Sequence, residues 1–234
     1  MSRCLLCHEE TMLHLNWRQF LLIEQAAELC DTCRSAFVRI EGERCQMCSR
    51  PLNELEDAYK KNGWCQDCLR WEEDPHFQGV LEKNISLFMY NEAMKEWVAR
   101  FKYRGDYVLA RSFAADIRRV VEKLDYDQAT VIPLSDERLH ERGFNQAKAL
   151  ATEAGVDVTE MLRRVHTEKQ SKKSRSQRMN SKQVFHLHEK NDCQNKKILI
   201  FDDIYTTGST LRQAAKLLKE AGAKEVCSFT LVRG

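Results

Sequence analysis

Ile198-Leu-Ile-Phe-Asp-Asp-Ile-Tyr-Thr-Thr-Gly-Ser-Thr210 decides how this chain is read. Its apolar opening predicts a buried strand over Lys197 to Phe201. That strand delivers Asp202 and Asp203 to its tip. A small, hydroxyl-rich turn with Gly208 then leads into a helix from Thr210 to Ala221, closed by Gly222. Such a turn offers backbone N–H groups and a positive helix end, to which Thr206, Thr207, Ser209 and Thr210 add hydroxyl donors, and all of these suit a phosphate. Two carboxylates beside a phosphate cradle repel it unless they accept hydrogen bonds from sugar hydroxyls or hold a divalent cation. A phosphorylated ribose meets that condition; the plainer alternative is a capping turn with incidental acids.

Working upstream, Ile85 to Tyr90 reads as a strand, after which Asn91 caps a helix with apolar positions Met94, Trp97, Val98 and Phe101, ended by Gly105. A second helix is predicted over Val108 to Leu124, a strand at Thr130 to Ile132, a helix over Asn145 to Ala154 and a strand over Met161 to Val165. A last strand follows at Val226 to Val232. Strands and helices alternating in this order imply an α/β domain with a parallel-centred sheet, whose ligands collect at the carboxyl ends of the strands.

The 234 residues carry 37 Lys and Arg against 35 Asp and Glu, so the net charge of +2 is too balanced for binding anions through an overall field, and any anion site must be local. No apolar run reaches the roughly 18–20 residues of a membrane span, and the chain is read as cytoplasmic. In a reducing compartment ten cysteines point to metal before disulfides. Eight of them form Cys-x-x-Cys pairs: Cys4/Cys7, Cys30/Cys33, Cys45/Cys48 and Cys65/Cys68. Each pair supplies half of a tetrahedral Zn²⁺ shell, so four pairs fill two closed, structural sites. Sequential pairing is the first choice, with a cross-braced arrangement and redox chemistry at a single pair as alternatives. Cys193 and Cys227 read as ordinary small residues. The boundary is placed near Pro75 to Gly79, giving a zinc-binding region over 1–76 and the α/β domain over 77–234.

The 198–210 segment resembles the phosphoribosyl pyrophosphate (PRPP) motif of type I phosphoribosyltransferases, which have a Rossmann-like sheet. The resemblance implies that Asp202 and Asp203 meet the ribose hydroxyls, with Asp203 steadying charge in any catalytic step, and that Thr206, Thr207, Gly208, Ser209 and Thr210 hold the 5′-phosphate. It also places a pyrophosphate loop at Pro133, Leu134 and Ser135, with Mg²⁺ nearby. Asp136 and Glu137 follow that loop at once, so Arg138 and Arg142 are its local cations. The Cys pairs, Phe101-Lys-Tyr-Arg-Gly-Asp106, Glu141-Arg-Gly-Phe-Asn-Gln-Ala147 and Asp202-Asp-Ile-Tyr-Thr-Thr-Gly208 together resemble the ComF family of bacterial competence proteins, nearest its ComFC type. What that likeness implies is a late competence role in DNA uptake during natural transformation, beside a helicase-type, ComFA-like ATPase and with single-stranded DNA as a ligand. The alternative is an active phosphoribosyltransferase of nucleotide or nucleobase metabolism.

Lys169, Lys172, Lys173, Arg175, Arg178 and Lys182, opposed by the single acid Glu168, form a basic loop. It is read as a lid over the cleft, as a contact for a phosphate backbone, or as a solvated surface loop. Lys102 and Arg104 face the anion cleft or simply end a helix. Trp17, Trp64 and Trp71 stack on a base or pack.

Overall fold

The computed structural model describes residues 2–11, 28–164, 184–188 and 192–234. Two short antiparallel ribbons organise the Cys-rich segment: β1 (Ser2–Arg3) with β2 (Glu10–Thr11), and β3 (Lys60–Lys61) with β4 (Trp64–Cys65). The helices α1 (Asp31–Ser35) and α2 (Gln66–Glu73) follow directly on Cys30 and Cys65. The remainder is built on a four-stranded parallel sheet of β5 (Lys83–Met89), β6 (Gln128–Val131), β9 (Lys197–Tyr205) and β10 (Glu225–Arg233), in the order β5-β10-β9-β6. Helices α3 (Glu92–Tyr103), α4 (Ala114–Val121), α5 (Asp136–Arg142), α6 (Gln146–Glu153) and α7 (Ser209–Glu220) supply the crossovers. Strands buried on both faces need the near-continuous apolar runs seen in β9 and β10.

The sheet separates two cores. On one face Leu199, Phe201 and Phe229 pack with Trp97, Phe101 and Phe113 of the α3–α4 side, and Cys4, Leu29 and Phe37 join them. Ile198, Ile200 and Val226 point the other way, toward Leu211, Ala215 and Leu218 of α7, and Cys45, Cys48, Cys65 and Cys68 close that side. The Cys-rich segment therefore wraps around the edge strand β5. Met89 donates its N–H to the Val38 carbonyl (2.8 Å), Ile40 donates to Leu87 (2.9 Å) and Asn84 to Met47 (2.7 Å), so an edge that would otherwise template pairing is covered.

Three local expectations shift. The predicted helix over Val108 to Leu124 begins as a 3-10 helix, Tyr107–Phe113, which buries Leu109, Ala110 and Phe113 before the α-helical turns of α4 start. The strand expected at Met161 is β7 (Leu162–Arg164), which pairs antiparallel with β8 (Phe185–Leu187) and stays outside the parallel sheet. Strand β9 runs on to Tyr205, because β10 keeps pairing with it through Thr230–Asp202 to Arg233–Tyr205, whereas β6 stops at Val131 opposite Phe201. Among the described residues no helix is long and apolar enough to cross a membrane.

Candidate functional site

The Cys pairs close sequentially. Cys4, Cys7, Cys30 and Cys33 converge in one cluster and Cys45, Cys48, Cys65 and Cys68 in another, with the sulfurs of each cluster within 4.8 Å of one another. No cysteine forms a disulfide. A tetrahedron with Zn–S bonds of about 2.3 Å has S–S edges of about 3.8 Å. The Cys7–Cys30 separation of 3.7 Å and the Cys48–Cys65 separation of 3.6 Å are of that size, so both donor sets fit zinc. The clusters differ in setting: Cys7 is exposed, whereas all four thiols of the second cluster are buried.

At the carboxyl end of the sheet, Asp202 and Asp203 occupy the part of β9 that extends past the end of β6. Asp203 pairs with Lys102 of α3. Asp202 accepts the Asp203 N–H through Oδ1 at 2.9 Å. Burial first, and then the neighbouring Asp203 charge, push the Asp202 carboxyl up to about 8. Arg164 of β7 lies close enough to Asp202 and Arg138 to feel both; its guanidinium is shifted down mainly by burial.

The loop after β9 is shaped by Gly208, whose φ of +80° is the left-handed conformation glycine tolerates, and where a Cβ would collide with Tyr205 Oη and Arg212 Nη1. Gly208 is the N-cap of α7 and brings no side-chain acceptor, so apart from Thr207 Oγ1 at 3.4 Å from the Ser209 N–H, the first-turn amides keep their donors for an anion. Thr206, Thr207 and Thr210 are exposed and Ser209 half-exposed. Beside it, Val131 of β6 pairs with Phe201 of β9, so Pro133, Leu134 and Ser135 leave the sheet at the same end as the acids. Ser135 caps α5, its hydroxyl accepting the Arg138 N–H at 3.3 Å.

The chain matches the phosphoribosyl transferase domain family over 110–234 and the double zinc ribbon domain family over 2–69. It is 38% identical over 234 residues to "Competence protein ComFC" of Bacillus subtilis (strain 168), covering 98% of this chain and 94% of that protein. The identity to "Competence protein ComFC" of Streptococcus pneumoniae (strain ATCC BAA-255 / R6) is also 38%, over 99% of this chain and 100% of that protein. The chain belongs to the ComFC family of competence proteins. Among solved structures, an allosteric regulatory enzyme of purine biosynthesis aligns with 52% of the chain and 25% of its own, at 20% identity and a TM-score of 0.36.

Within this ComFC-family chain the motif residues thus meet at one end of the sheet, while other expectations end elsewhere. Arg142 is engaged, donating to Gln146 Oε1 at 2.9 Å and lying 5.7 Å from the Tyr103 ring, and Arg104 is an exposed C-cap. Trp64 donates to Gln46 Oε1 at 3.3 Å. Trp71 packs against Phe77 and also donates its indole N–H to the Thr207 carbonyl at 2.9 Å, tying the zinc ribbon to the loop. Tyr205, Arg212 and Arg233, all fully buried beneath the loop, carry no signal in the sequence, because Arg212 shares α7 with Lys216, Lys219 and Glu220 and Arg233 shares β10 with Glu225, so neither stands out as a buried charge. Lys169, Lys172, Lys173, Arg175, Arg178 and Trp17 lie outside the described residues.

Proposed function

We propose that the protein is a cytoplasmic late competence component that binds PRPP with Mg²⁺ at the end of β9 and handles single-stranded DNA during uptake, beside a helicase-type, ComFA-like ATPase. Family membership supports the competence role; the observation that carries the ligand is the pairing of two acids with a Gly208-shaped, N–H-rich loop on one strand. In this reading Thr206, Thr207, Ser209 and Thr210 hold the 5′-phosphate. Asp202 and Asp203 accept from the ribose hydroxyls, and Pro133, Leu134 and Ser135 border the diphosphate and its Mg²⁺. Two Zn²⁺ ions on the eight thiolates are structural, because a closed tetrathiolate has no open position for chemistry. The zinc region spans 1–76 and the ligand-binding domain 77–234. The direct test is a melting curve: Mg·PRPP at about a hundred times its dissociation constant adds about 2.7 kcal/mol, and no rise at millimolar ligand would remove PRPP from the reading. Release of pyrophosphate on adding candidate bases separates an enzyme from a binding module.

The raised Asp202 pKa predicts the pH dependence. Below about 8 this carboxyl is largely protonated in the free protein. Ribose hydroxyls and Mg²⁺ favour its ionised form, so binding at neutral pH releases a proton and affinity climbs as pH rises to about 8, then levels off. Calorimetry in two buffers of different ionisation enthalpy reads the proton directly, and identical enthalpies in both would contradict engagement of Asp202.

For DNA, the expectation is weak, sequence-independent binding, since the overall charge is only +2. Fluorescence anisotropy is expected to give roughly micromolar affinity at low salt, with a slope reflecting about three to five phosphate contacts. Substituting Lys172, Lys173 and Arg175 with Ala should lower affinity equally for all sequences and flatten the slope. If the triple variant matches wild type throughout, DNA handling belongs to the ATPase.

A further inference from the structure

Between the buried Cys cluster and the 206–210 loop stands a continuous column of side chains. Arg233 Nη2 donates to Cys48 Sγ at 3.8 Å, while its Nη1 donates to the Tyr205 carbonyl at 3.3 Å and its guanidinium carbon lies 4.9 Å from the Tyr205 ring centre. Tyr205 Oη accepts from Arg212 Nη1 at 2.6 Å. The Arg212 guanidinium in turn lies 5.0 Å from the Trp71 ring, and Trp71 holds the Thr207 carbonyl. Trp71 sits on α2, which carries the cluster ligand Cys68, so the cluster reaches the loop by two routes that close on each other.

Both arginines are buried, at 0% and 2% exposure, and among the described residues neither has a carboxylate within ion-pair distance. A buried guanidinium without a counter-charge is strongly unfavourable. Four thiolates around one Zn²⁺ make a dianion, which supplies that counter-charge to Arg233 across the Cys48 contact. Loss of the metal releases the Cys48 sulfur from its fixed place beside Arg233, so the column loses its anchor at one end. Its other end packs against Gly208, where there is no room for independent movement.

We propose that Arg233, Tyr205, Arg212 and Trp71 are positioning residues that tie zinc occupancy of the Cys45/Cys48/Cys65/Cys68 cluster to the shape of the 206–210 loop. This rests on the zinc and phosphate-loop assignments above and makes the second ribbon part of the ligand site, leaving the first as a staple only. Hydrogen exchange on zinc-loaded, ligand-free protein tests it. Trp71→Phe keeps a ring beneath Arg212 but removes the donor to Thr207, and is expected to retain zinc while the first bonded amides behind the loop, from Arg212 (donating to the Gly208 carbonyl) onward, exchange about five- to tenfold faster, a typical coupling between sites. Arg233→Met is expected to speed exchange of the same amides and also zinc release, followed with a chromogenic chelator, from one site only. Cys7→Ser, which opens the first cluster, should leave these amides unchanged. Unchanged exchange of these amides in Trp71→Phe, or equal effects on them in Cys7→Ser and Arg233→Met, would overturn the proposal. Mg·PRPP should in turn slow zinc release from the second site in wild type. If wild type shows no melting shift with Mg·PRPP, the ligand reading fails by itself, since the exchange measurement uses no ligand.

Discussion

Cys65→Ser is expected to abolish cooperative folding, whereas Cys7→Ser is expected to yield a folded protein that has lost one zinc. Metal analysis of reduced wild type should find about two zinc ions per chain, filling the two tetrathiolate sets. Structural zinc contributes on the order of 10 kcal/mol or more to folding in small zinc modules, comparable with the whole stability of an ordinary domain. The two clusters should differ because of where that energy is lodged. Cys65 is fully buried in the core that also contains Ile198, Ile200, Val226 and the apolar side of α7, so its loss uncovers one face of the sheet. Cys7 is exposed, and its cluster meets the other core chiefly through Cys4, Cys30 and Cys33. Zinc content by mass spectrometry together with a thermal melt checks both variants. A soluble Cys65→Ser protein melting near the wild-type temperature would show that the second ribbon is not integral to the sheet domain.

The second large effect concerns ligand binding without loss of fold. Mg·PRPP near saturation should raise the melting temperature of wild type by about 5–10 °C, and the Asp202→Asn/Asp203→Asn variant should show no rise. In the absence of ligand, the variant should melt within about 3 °C of wild type. The sign follows from linkage. The Asp202 carboxyl titrates at about 8, above the ordinary carboxylate range, so the folded protein holds this proton more tightly than the unfolded chain. Its favourable contribution is complete below the unfolded value and is lost as pH rises through about 8. Asn removes that loss, which offsets the broken Lys102–Asp203 pair, so the variant gains on wild type from pH 5 to pH 8. A double variant that retains the full ligand shift would sink the assignment of the acids, and one that fails to fold at all would show that they serve structure.

Several elements were legible because their causes are local. The apolar run of β9, the cap at Asn91 with Met94, Trp97, Val98 and Phe101 repeating behind it, and the Gly208 turn into α7 each follow from a few adjacent residues. The Cys-x-x-Cys pairs are equally local, since two residues of spacing already place two sulfurs in one turn. By itself, then, the sequence determined a strand–glycine turn–helix segment on a parallel sheet and an N-terminal segment organised by paired cysteines.

Other features depend on contacts between residues far apart in the chain. Sequential closure of the thiolate pairs was one of two geometrically open solutions, and only the folded segment, with Cys4, Cys7, Cys30 and Cys33 in one cluster and the other four in a second, decides between them. The continuation of β9 to Tyr205 depends on β10 pairing beyond the point where β6 ends, which no window of β9 reveals. Tyr107–Phe113, where helical periodicity predicts an α-helix, is a 3-10 helix that buries Leu109, Ala110 and Phe113. Lys102 finds Asp203, Trp71 finds Thr207 and Arg233 finds Cys48 only after both cores have formed. Buried charge of this kind has no one-dimensional signature: whether Arg212 and Arg233 are tolerable depends on which aromatic rings and which thiolates the fold brings against them, and only the tertiary structure decided that.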